Sequence, residues 1–143
     1  MQNERPLNIP VLLGTIRKGR ASAHVARFLL EQVREREGVV TGLLKHVLDS
    51  NLMEYVHKAV GIAGVSAGPF GGTRVIQNCL APMRELGFVT IFFDVNFSNV
   101  LKLFDESGNL LDASFVRRTE KFLNELIWMA ATLRYGRENI PLK

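Results

Sequence analysis

Residues 59–74 read AVGIAGVSAGPFGGTR. Ala59 to Val65 is a short apolar run that leads into a glycine-rich turn, the pattern of a strand buried in a parallel sheet. Ser66 to Thr73 follows with three glycines and a proline, a composition that lets backbone approach something flat or anionic closely. Arg74 to Leu86 then reads as a helix closed by Gly87, with Pro82 marking a kink or a break. Strand, glycine-rich turn and helix, in that order, form the unit of a doubly wound α/β fold. In such folds ligands sit outside the carboxyl ends of the strands.

The chain opens with the same unit. Asn8 to Leu13 is an apolar run ending at Gly14. The turn Gly14 to Arg20 leads into a helix predicted from Ala21 to Glu37, with Val25, Phe28, Leu29 and Val33 at helical spacing and Gly38 as its stop. The next strand is poor: Val39 to Thr41 is too short by ordinary strand statistics. Gly42 then leads into an amphipathic helical stretch, Leu43 to His57. Downstream of the central unit, Val89 to Phe93 reads as a strand, Asp94 to Asn99 as a turn-rich loop and Val100 to Phe104 as a further strand. A turn at Glu106 to Asn109 follows. A final helix is predicted from Ala113 to Tyr135, with Glu138 to Lys143 as a loose tail. There is no internal repeat, and residues 1–143 read as a single domain.

The bulk numbers agree with that reading. The chain has 143 residues, 47% apolar and 22% charged, ordinary for a globular domain with a core of its own. The net charge of +4 favours anionic partners or is simply a solvated surface. No basic–aromatic interleaving supports nucleic-acid binding, and no stretch reaches the length of a membrane span. The single cysteine, Cys79, falls in a predicted helix and reads as a buried structural thiol in a cytoplasmic, reducing location.

Two turns carry the candidate chemistry. In the first, exposed backbone N–H groups at a helix start suit a phosphate, with Thr15 and Ser22 adding hydroxyls and Arg17 a fixed positive fork. Ser22 reads equally as the helix N-cap. The turn has neither GxGxxG nor GxxxxGK[ST], so it is not a dinucleotide fingerprint or a Walker loop. The second turn offers Ser66, Gly68, Gly71, Gly72 and Arg74. The plain alternative for both is a tight connection with no ligand. His24, His46 and His57 show no metal spacing. Asp94 and Asp105 are explained by turn and capping roles, and Phe122 and Trp128 by core packing of the last helix. No Ser-His-Asp or Cys-His arrangement is present, and no catalytic residue is assigned.

GTIRKGRASAHVA at Gly14 to Ala26, GVSAGPFGGTRVIQN at Gly64 to Asn78 and VTIFFDVNFSNV at Val89 to Val100 resemble the NADPH-dependent FMN reductase family. GLLKHVLDSNL at Gly42 to Leu52 and TLRYGRE at Thr132 to Glu138 extend the resemblance over nearly the whole chain. It implies a flavodoxin-like doubly wound parallel sheet. It also implies FMN as cofactor and NAD(P)H as co-substrate, with a hydride passed to FMN and on to a quinone, azo, metal-oxyanion or flavin acceptor. Thr15, Arg17 and Ser22 would then hold the FMN phosphate. Ser66, Gly68, Gly71, Gly72 and Arg74 would lie beside the flavin ring. The cofactor supplies the chemistry, so no acid or base is required of the chain. Members associate, which implies a homodimer or homotetramer with the Leu43 to His57 segment near the contact.

The chain departs from the family after Thr41. A strand, a helix, a further strand and a Pro-Glu-Tyr-Asn loop are missing, so the sheet is expected to lack its second and third strands. The first strand would then have both edges unpaired. Such a chain is a true deletion repaired by rearranged pairing or strand exchange, an engineered deletion, or part of a longer one. The rival to a reductase is a non-enzymatic remnant that binds FMN or phosphate, or an oligomerising scaffold.

Overall fold

The computed structural model describes residues 6–9, 11, 21–36, 39–40 and 54–142. In chain order the elements are β1 (Leu7–Asn8), α1 (Ser22–Arg34), β2 (Val39–Val40), β3 (Ala59–Val60), β4 (Ala63–Val65), α2 (Thr73–Glu85), β5 (Val89–Thr90), β6 (Val95–Phe97) and α3 (Ser114–Asn139). The strands pair as β1–β2, β3–β5 and β4–β6, all parallel. The described chain is therefore mixed α/β with short parallel strands.

The side chains of the central strands alternate as the pleat requires. Ala59, Ala63 and Val65 pack against the main core, which is built from Val25, Phe28, Leu29 and Val33 of α1 and Phe115, Phe122, Leu123 and Leu126 of α3. Gly61 belongs to the same set. A Cβ there would stand 2.5 Å from the Phe122 ring, so only a glycine lets α3 come this close. One residue out of phase, a Cβ at Gly64 would meet Ile76 of α2 at 2.8 Å. Helices thus lie on both faces: α1 and α3 on one, α2 on the other.

Several elements differ from the sequence reading. The run at Val39, too short for an ordinary strand, still makes β2: Leu7 pairs with Val39 and Asn8 with Val40. One edge of β1 therefore has a neighbour where two open edges were expected. The first strand was placed at Asn8 to Leu13; the described part of it starts one residue earlier, at Leu7–Asn8, with Ile9 packing on the core, and residues 10, 12 and 13 lie outside the described residues. Ala59 to Val65 is two strands, not one. Val95 to Phe97, read as loop from its Asp and Asn neighbours, is a strand that buries Val95 and Phe97 on either side of Asn96. Val100 to Phe104, read as a strand, is instead a 3₁₀ turn at Val100–Lys102 followed by an antiparallel bridge from Phe104 to Leu110. Its buried residues are Val100, Leu103 and Phe104, and that spacing belongs to a helical turn rather than to a strand.

The helices fall close to expectation. α2 continues through Pro82 to Glu85 without a break, and α3 runs to Asn139, into what read as a tail. Of the helix predicted at Leu43 to His57, residues 43–53 lie outside the described residues. The rest is a turn in which His57 has φ of 58° and Tyr55 stacks on Phe88 at 4.9 Å.

Candidate functional site

The site begins where β4 ends. Ser66 N–H donates to the Phe97 carbonyl at 3.1 Å, the last rung of the β4–β6 ladder. Beyond it the chain turns outward, and the return path of β6 ties it down. Asn99 N–H donates to the Gly68 carbonyl at 3.0 Å and Val100 N–H to the Ser66 carbonyl at 3.1 Å. The Ser66 hydroxyl donates to the Gly68 carbonyl at 3.0 Å. Asn99 itself sits in the left-handed region at φ 49°, a conformation asparagine tolerates better than most residues.

The turn closes at Gly71 and Gly72, with φ of 55° and 79°. At Gly71 two constraints coincide. The conformation strains any residue with a side chain, and an added Cβ would lie 2.6 Å from the Cβ of Asn96. Asn96 uses that proximity: its Nδ2 donates to the Gly71 carbonyl at 3.3 Å and to Thr73 Oγ1 at 3.2 Å. Thr73 Oγ1 in turn donates to the Phe70 carbonyl at 2.7 Å. A relay of side chains therefore stitches the glycine turn shut from beneath.

Helix α2 starts at Thr73, with Gly72 at its cap, no capping side chain and no acid in its first turn. Thr73 N–H donates to the Phe70 carbonyl at 3.1 Å and Val75 N–H to the Gly72 carbonyl at 2.9 Å, so the turn's own backbone meets part of the helix start. Over this end lies an open concavity of about 530 Å³ lined by Ser66, Gly68, Phe70, Gly72, Thr73, Arg74 and Val75. Its walls are largely apolar, with Ser66, Thr73 and Arg74 as the polar residues among them. Phe70 stands 79% exposed at the rim, and a Cβ on Gly68 would meet nothing within 4 Å.

Of the residues expected to form a site, Ser66, Gly68, Gly72 and Arg74 line this concavity, and Gly71 lies buried beneath it. Thr15 and Arg17 lie outside the described residues. Ser22 is the first residue of α1. Ala21 occupies the cap position and no side chain caps that helix, so the capping alternative for Ser22 is not what forms. Phe70, Thr73, Val75 and Asn96 were not singled out. Phe70 and Val75 look like ordinary apolar residues in sequence, and Asn96 reaches the turn only through strand pairing.

The remaining candidates have structural explanations. His24 stacks on Phe104 at 5.8 Å and lies under Gly108. The Asp105 carboxylate accepts from Asn109, at 2.7 Å from its N–H and 2.8 Å from Nδ2, and these bonds hold the carboxyl below the usual range. Asp94, beside the chain's path into β6, is shifted the other way, first by partial desolvation and then by the nearby Glu125 carboxylate. Phe122 is core, whereas Trp128 is 62% exposed, and Cys79 is half-buried rather than buried. Among the described residues no group of His, Cys, Asp and Glu is placed to hold a metal, and no helix is long and apolar enough to cross a membrane. Comparison with known protein families and with curated proteins finds no match to this chain.

Proposed function

We propose that this chain is an FMN-binding oxidoreductase related to the NADPH-dependent FMN reductases, with a flavodoxin-like fold. The observation that carries the reading is the open, largely apolar concavity at the carboxyl end of β4, above the glycine turn and the start of α2, which no side chain caps. A flat ring with polar edges suits such a place. Gly68 leaves room for it and Phe70 offers an aromatic wall. The Ser66 and Thr73 hydroxyls hold the turn in shape through the Gly68 and Phe70 carbonyls, and Arg74 with the α2 dipole favours a ring edge that carries negative charge. Thr15, Arg17 and Ser22 are the residues proposed to hold the phosphate.

FMN, when bound, supplies the hydride chemistry, taking a hydride from NAD(P)H and giving electrons to a quinone, azo compound, metal oxyanion or free flavin. The chain's part is to bind, to orient and to keep water from one face of the ring. The test is a titration with FMN followed by desalting, and then an NADPH oxidation assay. Retained flavin with NADPH oxidation is the expected result. Retained flavin without oxidation would leave a binding remnant, and no retained flavin would overturn the reading. In the retained case Arg74→Ala is expected to weaken FMN by about 10-fold, the scale of one charge-assisted contact.

A further inference from the structure

The strand pairing between 59–65 and 89–97 changes register once. Val60 stands opposite Thr90 and Ala63 opposite Val95. Gly61 and Ile62 therefore face a longer stretch, Ile91 to Asp94, which carries two extra residues. The insertion shows in the hydrogen bonds: Ile91 N–H reaches the Val60 carbonyl at 3.1 Å, but the next donor, to Ile62, is Val95 at 3.5 Å. β5 and β6 are thus one strand interrupted by a bulge.

A two-residue insertion preserves the alternation of faces, so Ile91, Val95 and Phe97 all enter the core. For the same reason the apolar pattern is a weak guardian of this register. Sliding the strand back by two would send Phe93 and Val95 inward in place of Val95 and Phe97, and would set Asp94 opposite Gly64.

The two arrangements differ in packing at Phe97, whose ring lies against those of Phe28 and Phe115, and in their polar contacts. The bulge takes the N–H groups of Phe92 and Phe93 out of the ladder, and both donate to Glu125 of α3, at 2.9 Å to Oε1 and 3.0 Å to Oε2. One carboxylate satisfies two adjacent backbone donors, the strong, charge-assisted form of such a contact. One helical turn earlier, Lys121 places its Nζ 3.8 Å from the centre of the Phe93 ring. In the observed register Asn96 pairs with Gly64 and donates to Gly71 and Thr73. An ionised aspartate there would have no proton to donate to the Gly71 carbonyl.

We propose that Glu125 is a positioning residue for the glycine-turn site: by holding the bulge at Phe92 and Phe93, its carboxylate selects the register that puts Asn96, rather than Asp94, against Gly71 and Thr73. This inference concerns the chain's own geometry and stands or falls separately from the flavin reading.

The experiment is amide NMR on the full chain without ligand, comparing Glu125→Gln with Glu120→Gln, an exposed neighbour on the same helix. A glutamine has one carbonyl to offer and turns its NH₂ toward the second donor. In E125Q, hydrogen exchange at Phe92 and Phe93 is expected to quicken about 10- to 100-fold, and the Asn96 side-chain amide resonances to move. E120Q is expected to change neither. An unmoved Asn96 amide in E125Q would overturn the proposal. A second variant covers failure to fold. Deleting Phe92 and Phe93 makes the ladder continuous and leaves Asn96 opposite Gly64 without help from Glu125. Should E125Q alone not fold, E125Q in the deleted chain decides: folding restored supports the proposal, and folding not restored overturns it.

Discussion

Two glycines of the central turn have opposite requirements, although they stand three positions apart. Gly71 is buried at φ 55° with Asn96 pressed against it, whereas Gly68 looks into open space. Gly71→Ala is therefore expected to destabilise the fold by about 2–4 kcal/mol, combining left-handed strain with overpacking. Gly68→Ala is expected to leave the melting temperature unchanged while crowding the concavity. Thermal unfolding of the two variants, beside an FMN titration of G68A, separates a glycine needed by the backbone from one needed by a ligand. The sequence shows both only as members of a cluster. The cluster was enough to mark the turn, but the division of labour within it depends on Asn96, whose approach no local spacing reveals.

Helix α3 shows how an element takes its start from a residue just outside it. The Asp112 carboxylate accepts from Ser114 N–H at 2.9 Å, and the Asp112 carbonyl accepts from Phe115 N–H at 3.2 Å. Hydrogen bonds from Ser114, then the charge of Arg118, hold its carboxyl below the usual carboxylate range. A carboxyl whose folded value is depressed adds stability that is present above the unfolded value and is lost as pH falls through the folded one. Asp112→Ala is thus expected to lower the melting temperature at neutral pH and to converge with the parent as acid takes the pH through the depressed folded value, which paired unfolding scans from neutral to acid pH would check. Helices α1, α2 and α3 were the most legible elements in the sequence, because 3.6-residue periodicity survives an error of a few residues at either end. The strands were less so. A two-residue insertion keeps the parity of apolar positions, so nothing in the pattern announces that 59–65 is split or that Val95 to Phe97 rejoins the ladder.

At the scale of the whole molecule, the described strands are short ladders held by helices on both faces rather than a broad, mutually bonded sheet. Much apolar surface stays outside that arrangement: on α3, Trp128 and Tyr135 are 62% and 64% exposed, and beyond its end Leu142 is 85% exposed. Association into a dimer or tetramer is the expected outcome, and sedimentation velocity across a dilution series checks it; a monomer at all concentrations would refute it. The overall class, α/β with a glycine turn after a central strand, was readable from residues 59–74 alone. The partner of β1 was not, because a two-residue strand lies below what composition and periodicity resolve. One contact within this architecture also gives the molecule an internal clock. The Phe122 ring occupies the space that any side chain at Gly61 would fill, and it is only 5% exposed. A ring wedged between a strand and a helix turns over only when the two part, so the rate at which its two edges exchange places measures how often α3 lifts from the strands.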